Sequence, residues 1–293
     1  MERNSSIIGK IGKMPFMVTM FTTILVQPLA NGLILFYDIL FQNLGLAIIG
    51  FSVFLMLILR PLTKPYMDSM KKMRELAPHL AKLKERHKDD KMKYAEAQAS
   101  LYKEKGVNPG AGCLPYLLQI VILIAFFNLF TQTLSKGGDL TANFNHLLYP
   151  ALQFQDGQSI NTHFLFFDLA KHDVLAEQDY GKFLGSLVPF KVPGILLILA
   201  ALSQFLSAKA MAALTQAGVD VAKTTKTDAD DMQASMQKSM TYMFPIMTLF
   251  IGMNFPSGLA LYWLTFSSIQ AYIQRNNNNL LPSFLRKDKM LQS

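Results

Sequence analysis

Reactive side chains are scarce in the apolar stretches of this chain. The five histidines (His79, His87, His146, His163 and His172) all stand in polar segments. The single cysteine, Cys113, sits in the motif GCLP, where a helix is expected to begin and a small buried residue is the simplest role. Intramembrane catalysis would need paired aspartates, a serine with a histidine, or an HExxH inside an apolar run. None of the clear runs holds an Asp, Glu or His. Metal-ligand spacing and a Gly-rich phosphate loop are missing as well, so no enzyme, catalytic residue, metal or cofactor is expected. One cysteine excludes an internal disulfide.

What the apolar runs do contain is one permanent cation with a set of amides and hydroxyls. Arg60 closes the run LGLAIIGFSVFLMLILRP at 44–61, which has no other charge. A charge at mid-membrane costs about 2.5–3.5 kcal/mol on insertion scales, and such residues usually face water or a partner. Arg60 either snorkels to the headgroups or stands in a hydrated cavity, because the spans offer no acid to pair with it. Ser52, Gln119, Asn128, Ser203, Gln204, Thr241, Thr265, Ser267, Ser268 and Gln270 would line such a cavity if they converge. Otherwise each hydroxyl bonds its own helix backbone and each amide bridges two helices. A guanidinium keeps its proton, which argues against a proton-coupled carrier.

These side chains need helices in a bilayer to hold them. Of 293 residues, 51% are hydrophobic and only 16% charged, against about 25% charged in a soluble domain. The fold class expected is an all-α polytopic membrane protein with five spans, at 43–62, 111–135, 192–208, 239–254 and 255–274. Pro61 and Pro65 follow the first span directly, so its helix is expected to bend or restart there. Segment 63–110 is the most polar. Its apolar residues Tyr66, Met70, Met73, Leu76, Leu80 and Leu83 repeat at three- and four-residue steps, and Tyr94, Ala97 and Leu101 do so after KDDK at 88–91. Two amphipathic arms joined at Asp89 and Asp90 make a helical hairpin, with Pro78 kinking the first arm.

Charge sets the orientation. Residues 63–107 hold twelve lysines and arginines, whereas the loop 136–191 holds only Lys136, Lys171, Lys182 and Lys191. The net charge of +8 is therefore a topology signal and not a nucleic-acid footprint: the hairpin is expected in the cytoplasm. The loops 209–238 and 275–293 fall on the same side by parity. Aromatics in HFLFFDL at 163–169 suggest that part of the external loop lies on the membrane surface. Segment 1–42 begins with Arg3, Lys10 and Lys13 and an apolar run resembling a signal peptide, without a convincing cleavage site. Residues 27–41 read as an amphipathic helix at the interface; whether 14–26 also crosses is left open.

Several motifs then point to a family. RPLTKPYMDSMKKMRELAP (60–78), the KDD turn, LYKEKGVNPGAGCLPYLLQ (101–119) and FPSGLALYWL (255–264) resemble the YidC-type membrane protein insertases, which include the mitochondrial oxidase-assembly and chloroplast albino-type members. The resemblance runs over 27–274. It implies an insertase core of five transmembrane helices with a cytoplasmic hairpin, and a substrate groove to which Arg60, Gln204 and Trp263 correspond, with Gln119 and Ser203 among its polar lining. Nascent membrane proteins are the implied clients and the lipid bilayer the medium, with a membrane chaperone role besides. The Sec translocon, the ribosome and the signal recognition particle receptor are further partners that the family admits. A monomer in a bacterial cell membrane is expected. Departures from the family pattern are the absence of a large folded domain before the first span, of a lipoprotein cysteine near the start, and of a long basic tail, so ribosome tethering by the tail is not expected. A small-anion channel or carrier, and an assembly factor that inserts nothing, are the competing functions.

Overall fold

The computed structural model of the chain describes residues 16, 18–87, 90–107, 114–134, 138–175, 191–222 and 228–279, and these are mostly helical. Cys113 and Asp89 lie outside the described residues.

Helix α1, Gln27–Ile39, continues without a break from a π-helical stretch, Thr22–Val26. Val26, Ala30, Leu33, Ile34 and Tyr37 are buried, a three- and four-residue spacing that turns one stripe inward. Asn31 anchors that stripe to the segment that follows the short helix Leu140–Asn145, at Leu147 and Tyr149. Its amide donates to the Leu147 carbonyl (3.1 Å), and its oxygen accepts from the Tyr149 N–H (2.7 Å). Ile24, Leu35 and Ile39 remain exposed. Phe41 and Gln42, at φ 58° and 50°, reverse the chain into the next helix.

Helix α2, Leu44–Arg86, runs 43 residues with Pro61, Pro65 and Pro78 inside it. Of the bend or restart expected after Pro61, the restart is not found. A proline removes one backbone bond and crowds the turn before it, but the flanking turns persist here. The Thr63 hydroxyl adds bonds to the Leu59 (3.3 Å) and Arg60 (3.1 Å) carbonyls. One helix thus carries both the first apolar run and the first arm of the polar segment. Helix α3, Lys91–Glu104, supplies the second arm. Leu76, Leu80 and Tyr94 are buried as the periodicity predicts. The stripe continues through Lys84, which is 5% exposed, while Leu83 is only half-buried. A four-residue step and a long aliphatic stem let a lysine take that place.

Asp90 caps α3, accepting from the Lys93 N–H (3.0 Å) and pairing with its ammonium (3.1 Å). The backbone hydrogen bond from Lys93, foremost, holds the Asp90 carboxyl below its ordinary 3.8. A carboxyl lowered in the folded state stabilises fully above its unfolded value, and the contribution fades as pH falls through the folded one. Protection of the first-turn amides of α3, measured against their intrinsic exchange rates, is therefore expected to fall below about pH 4. In Asp90→Ala that protection should already be low at neutral pH and show no further loss in acid; unchanged protection in that variant would remove the cap from the account.

Helix α4 is Leu114–Thr133 and the short α5 is Leu140–Asn145, capped by Asp139 through the Thr141 N–H (3.0 Å) and hydroxyl (2.6 Å). A two-stranded antiparallel hairpin follows, β1 (His163–Phe164) and β2 (Phe167–Asp168), registering His163 with Asp168. The aromatic stretch expected on the membrane surface is this hairpin, with Leu165 and Phe166 exposed at its tip. Helices α6 (Ile195–Ala222), α7 (Asp228–Gly252) and α8 (Ser257–Asn279) complete the chain.

The chain divides into two compact units, one of residues 1–54, 116–197 and 251–262, the other of 55–115, 198–250 and 263–293. The first is held by a run of rings: Phe36 to Phe51 (5.6 Å), Phe51 to Phe126 (6.2 Å), and Phe126 stacked on Tyr262 (4.2 Å). Its segment 168–171 also grips the α7–α8 turn. The Ser257 N–H donates to the Lys171 carbonyl (2.8 Å) and the Gly258 N–H to that of Leu169 (3.0 Å). The Ser257 hydroxyl reaches the Asp168 (2.8 Å) and Lys171 (2.7 Å) carbonyls. Asp173, fully buried, accepts from the Leu197 N–H (2.6 Å) and so caps α6 from 24 residues away.

Among the described residues, Val18–Ile39 and Leu44–Thr63 are long and apolar enough to cross a membrane; Leu118–Thr133, Ile195–Ala210 and Thr241–Gly252 are apolar but shorter. Helix α8 is diluted by its own Ser257, Thr265, Ser267, Ser268, Gln270 and Gln274.

Candidate functional site

The second unit gathers most of the polar side chains that the sequence singles out. Ser203, Gln204 and Ser207 lie on two adjacent turns of α6, and each meets a polar partner on another helix. The Ser203 and Ser268 hydroxyls are 3.1 Å apart, and the Ser207 hydroxyl donates to the Gln274 carboxamide (3.2 Å). The Thr248 hydroxyl donates to the Gln204 Oε1 (2.8 Å). Pairings of 203 with 268 and 207 with 274 advance together, so α6 and α8 run parallel. Gln204 with Thr248, and the Phe205 and Tyr242 rings at 5.8 Å, advance in opposite senses, so α7 runs antiparallel between them in direction.

Gln204 is buried, yet Thr248 uses only its oxygen; its amide nitrogen has no partner among the described residues. Trp263 is 8% exposed, and its indole N–H makes no hydrogen bond among the described residues. Arg60 is exposed on α2 and forms no ion pair among the described residues. The guanidinium is therefore not packed against protein among the described residues. No hydrogen bond joins Arg60 to Ser203, Gln204 or Trp263 among the described residues. Gln119 belongs to the first unit, as does the buried Tyr262.

Two of the candidates take the bland role. The Ser52 hydroxyl donates to the Ile48 carbonyl (2.5 Å) and the Asn128 amide to the Ile124 carbonyl (2.8 Å), each within its own helix. Thr248, Ser207 and Gln274 were not singled out by the sequence, although Ser203, Gln204 and Ser207 at i, i+1 and i+4 mark one polar helix face. In the polar arms, Leu76, Leu80 and Tyr94 are buried, Leu101 is half-buried, and Met70 and Met73 lie on α2. No group of three metal-ligating side chains occurs among the described residues.

The sequence profile of the family described as 60Kd inner membrane protein matches residues 35–282. This chain belongs to that family. Three bacterial relatives, each named Membrane protein insertase YidC, illustrate the match. The Pelobacter propionicus protein is 32% identical over 243 residues, which cover 83% of this chain and 36% of the relative. The Leptospira interrogans protein is 31% identical over 268 residues, 89% of this chain and 36% of the relative. The Fusobacterium nucleatum protein is 33% identical over 233 residues, 80% of this chain and 84% of the relative. The chain thus spans about a third of the first two relatives and most of the third. The YidC-type resemblance read from RPLTKP, GCLP and FPSGLALYW is borne out. The 60Kd inner membrane protein match takes in Arg60, the polar arms, Gln204 and Trp263 alike.

Proposed function

We propose that this chain is a membrane protein insertase, moving short hydrophilic segments of client proteins part-way across a bacterial inner membrane without hydrolysing anything. The observation that carries the reading is Arg60: a guanidinium with no ion pair among the described residues, accessible, at the end of an apolar helical run. Carrying a polar segment into hydrocarbon is costly because its backbone and side chains lose water. A hydrated, positively charged groove holding Arg60, Ser203, Gln204 and Trp263 shortens the dry path. Arg60 attracts acidic residues of the translocated segment. The client's apolar helix then leaves sideways, driven by lipid burial at about 25 cal/mol per Å².

In this reading the spans are 43–62, 111–135, 192–208, 239–254 and 255–274, with α1 lying at the outer interface. The split of α1 between a face on the external loop and the exposed Ile24, Leu35 and Ile39 supports that placement. Segment 63–110, capped at Asp90 and carrying Met70, Met73, Leu83, Asp89 and Leu101, receives clients in the cytoplasm. The bonds from Ser257 and Gly258 to the external loop support a groove closed on the outer side. The chain acts as a monomer, also as a chaperone, alone or beside the Sec translocon.

Photocrosslinkers at positions 60, 204 and 263 test this directly. Each is expected to capture a nascent single-span client, while a probe at Ile24 captures lipid. Client capture at Ile24 alone, with none at the three positions, would leave no groove to argue from.

A further inference from the structure

The first unit contains a polar cleft of about 420 Å³ that the proposed insertion route does not use. It opens between the end of α1 and segment 151–159. Tyr37, Asp38, Gln42, Gln153, Phe154 and Gln158 are among its lining residues, and no Lys, Arg or His is. Asp38 is its one ionisable carboxyl and has no hydrogen bond or ion pair among the described residues. The carboxamide of Gln42 is likewise uncommitted among the described residues. Tyr37 and Phe154 meet edge to face, ring centroids 6.1 Å apart, and their hydroxyl and backbone bonds hold the wall. The Tyr37 hydroxyl accepts from the Asn161 N–H (2.9 Å), and Phe154 N–H donates to the Asn145 oxygen (2.9 Å).

A single carboxylate beside aromatic rings, without a competing cation, is the chemistry that recognises an ammonium group. The volume falls within the range of small-molecule sites. The surroundings identify the source. Leu35, Ile39 and Phe41 flank Asp38 in sequence and are exposed, Phe41 by 87%. A soluble amine has no use for such a flank, whereas acyl chains do. We propose that the cleft binds the headgroup of a membrane lipid carrying a primary ammonium. Asp38 is its counterion, Gln42 faces the phosphodiester, and the acyl chains lie along Leu35, Ile39 and Phe41. Anionic headgroups without an ammonium are rejected, since Asp38 would meet them uncompensated.

Native mass spectrometry of the full chain in detergent, with phosphatidylethanolamine or phosphatidylglycerol added, tests the assignment. Phosphatidylethanolamine should be retained preferentially. Asp38→Asn should weaken that retention about tenfold, as for loss of one charge-assisted hydrogen bond, with its melting temperature unchanged. Asp38→Glu should restore most of it. Equal retention of the two lipids, unaltered retention in Asp38→Asn, or displacement of the lipid by a soluble lysine peptide at matching concentration would each overturn the proposal. Client insertion enters none of these readouts, so the result stands or falls apart from the insertase reading.

Discussion

Arg60→Ala is expected to lower insertion of a client with an acidic N-terminal segment about tenfold, while Arg60→Lys stays within about threefold of the parent. Two unit charges 4 Å apart attract by about 1 kcal/mol in water and about 4 kcal/mol at an effective dielectric constant of 20. A wet groove part-way into a membrane lies between those limits, which brackets the tenfold. The lysine keeps the charge but not the planar fork, hence the smaller loss. A client with a neutral N-terminal segment should respond much less to either change. Protease protection of the translocated segment in proteoliposomes reads all three. Full activity of Arg60→Ala on the acidic client would remove this guanidinium from the mechanism.

Gly194→Ala should be the most damaging small substitution in the first unit. A methyl built on Gly194 runs into the Asp173 carboxylate and stands 2.9 Å from the Asp173 backbone carbon. Neither can yield easily. The carboxylate is held by the Leu197 N–H at 2.6 Å, and the Asp173 carbonyl accepts from Gly194 itself at 2.6 Å. Overpacking of this kind costs about 1–3 kcal/mol. Asp173→Ala should cost about 2 kcal/mol, because the first turn of α6 loses its cap and a buried N–H loses its acceptor. The two share one contact, so the double variant should fall short of the summed losses by about 1 kcal/mol. Unfolding in detergent micelles measures all three. A Gly194→Ala protein as stable as the parent, or strictly additive losses, would mean that this corner is looser than it looks.

Legibility followed the physics of each signal. The apolar runs announced helices because uncharged stretches of that length have few other uses, and α2, α4, α6, α7 and α8 fall on them. The stripe Leu76, Leu80 was readable since a 3.6-residue period puts those residues on one face of α2, and Tyr94 marks the apolar face of α3 in the same way. Lys84 was not singled out for the stripe, since periodicity alone sees the ammonium and not the stem. The proline rule allowed a bend or a restart after Pro61, and the helix does not restart: proline weakens a turn, but neighbouring turns decide whether the helix survives. The polar side chains of α6 could be nominated from composition alone. Their partners could not, because Gln204 meets Thr248 across 44 residues and Ser207 meets Gln274 across 67, distances over which no local pattern speaks. Asp173 was equally silent. In sequence it is one acid of a polar loop, and only the folded chain sets it against the start of α6.

The clasp of Ser257 and Gly258 on the external loop bears on energy conservation. A cell that makes ATP from an ion gradient cannot keep a conduit standing open in the same membrane. In the proposed topology, four short bonds at this rim, three of them through Ser257, would act as a gasket against proton leak while clients pass from within. Respiring cells would then tolerate this protein at high copy number without losing their membrane potential.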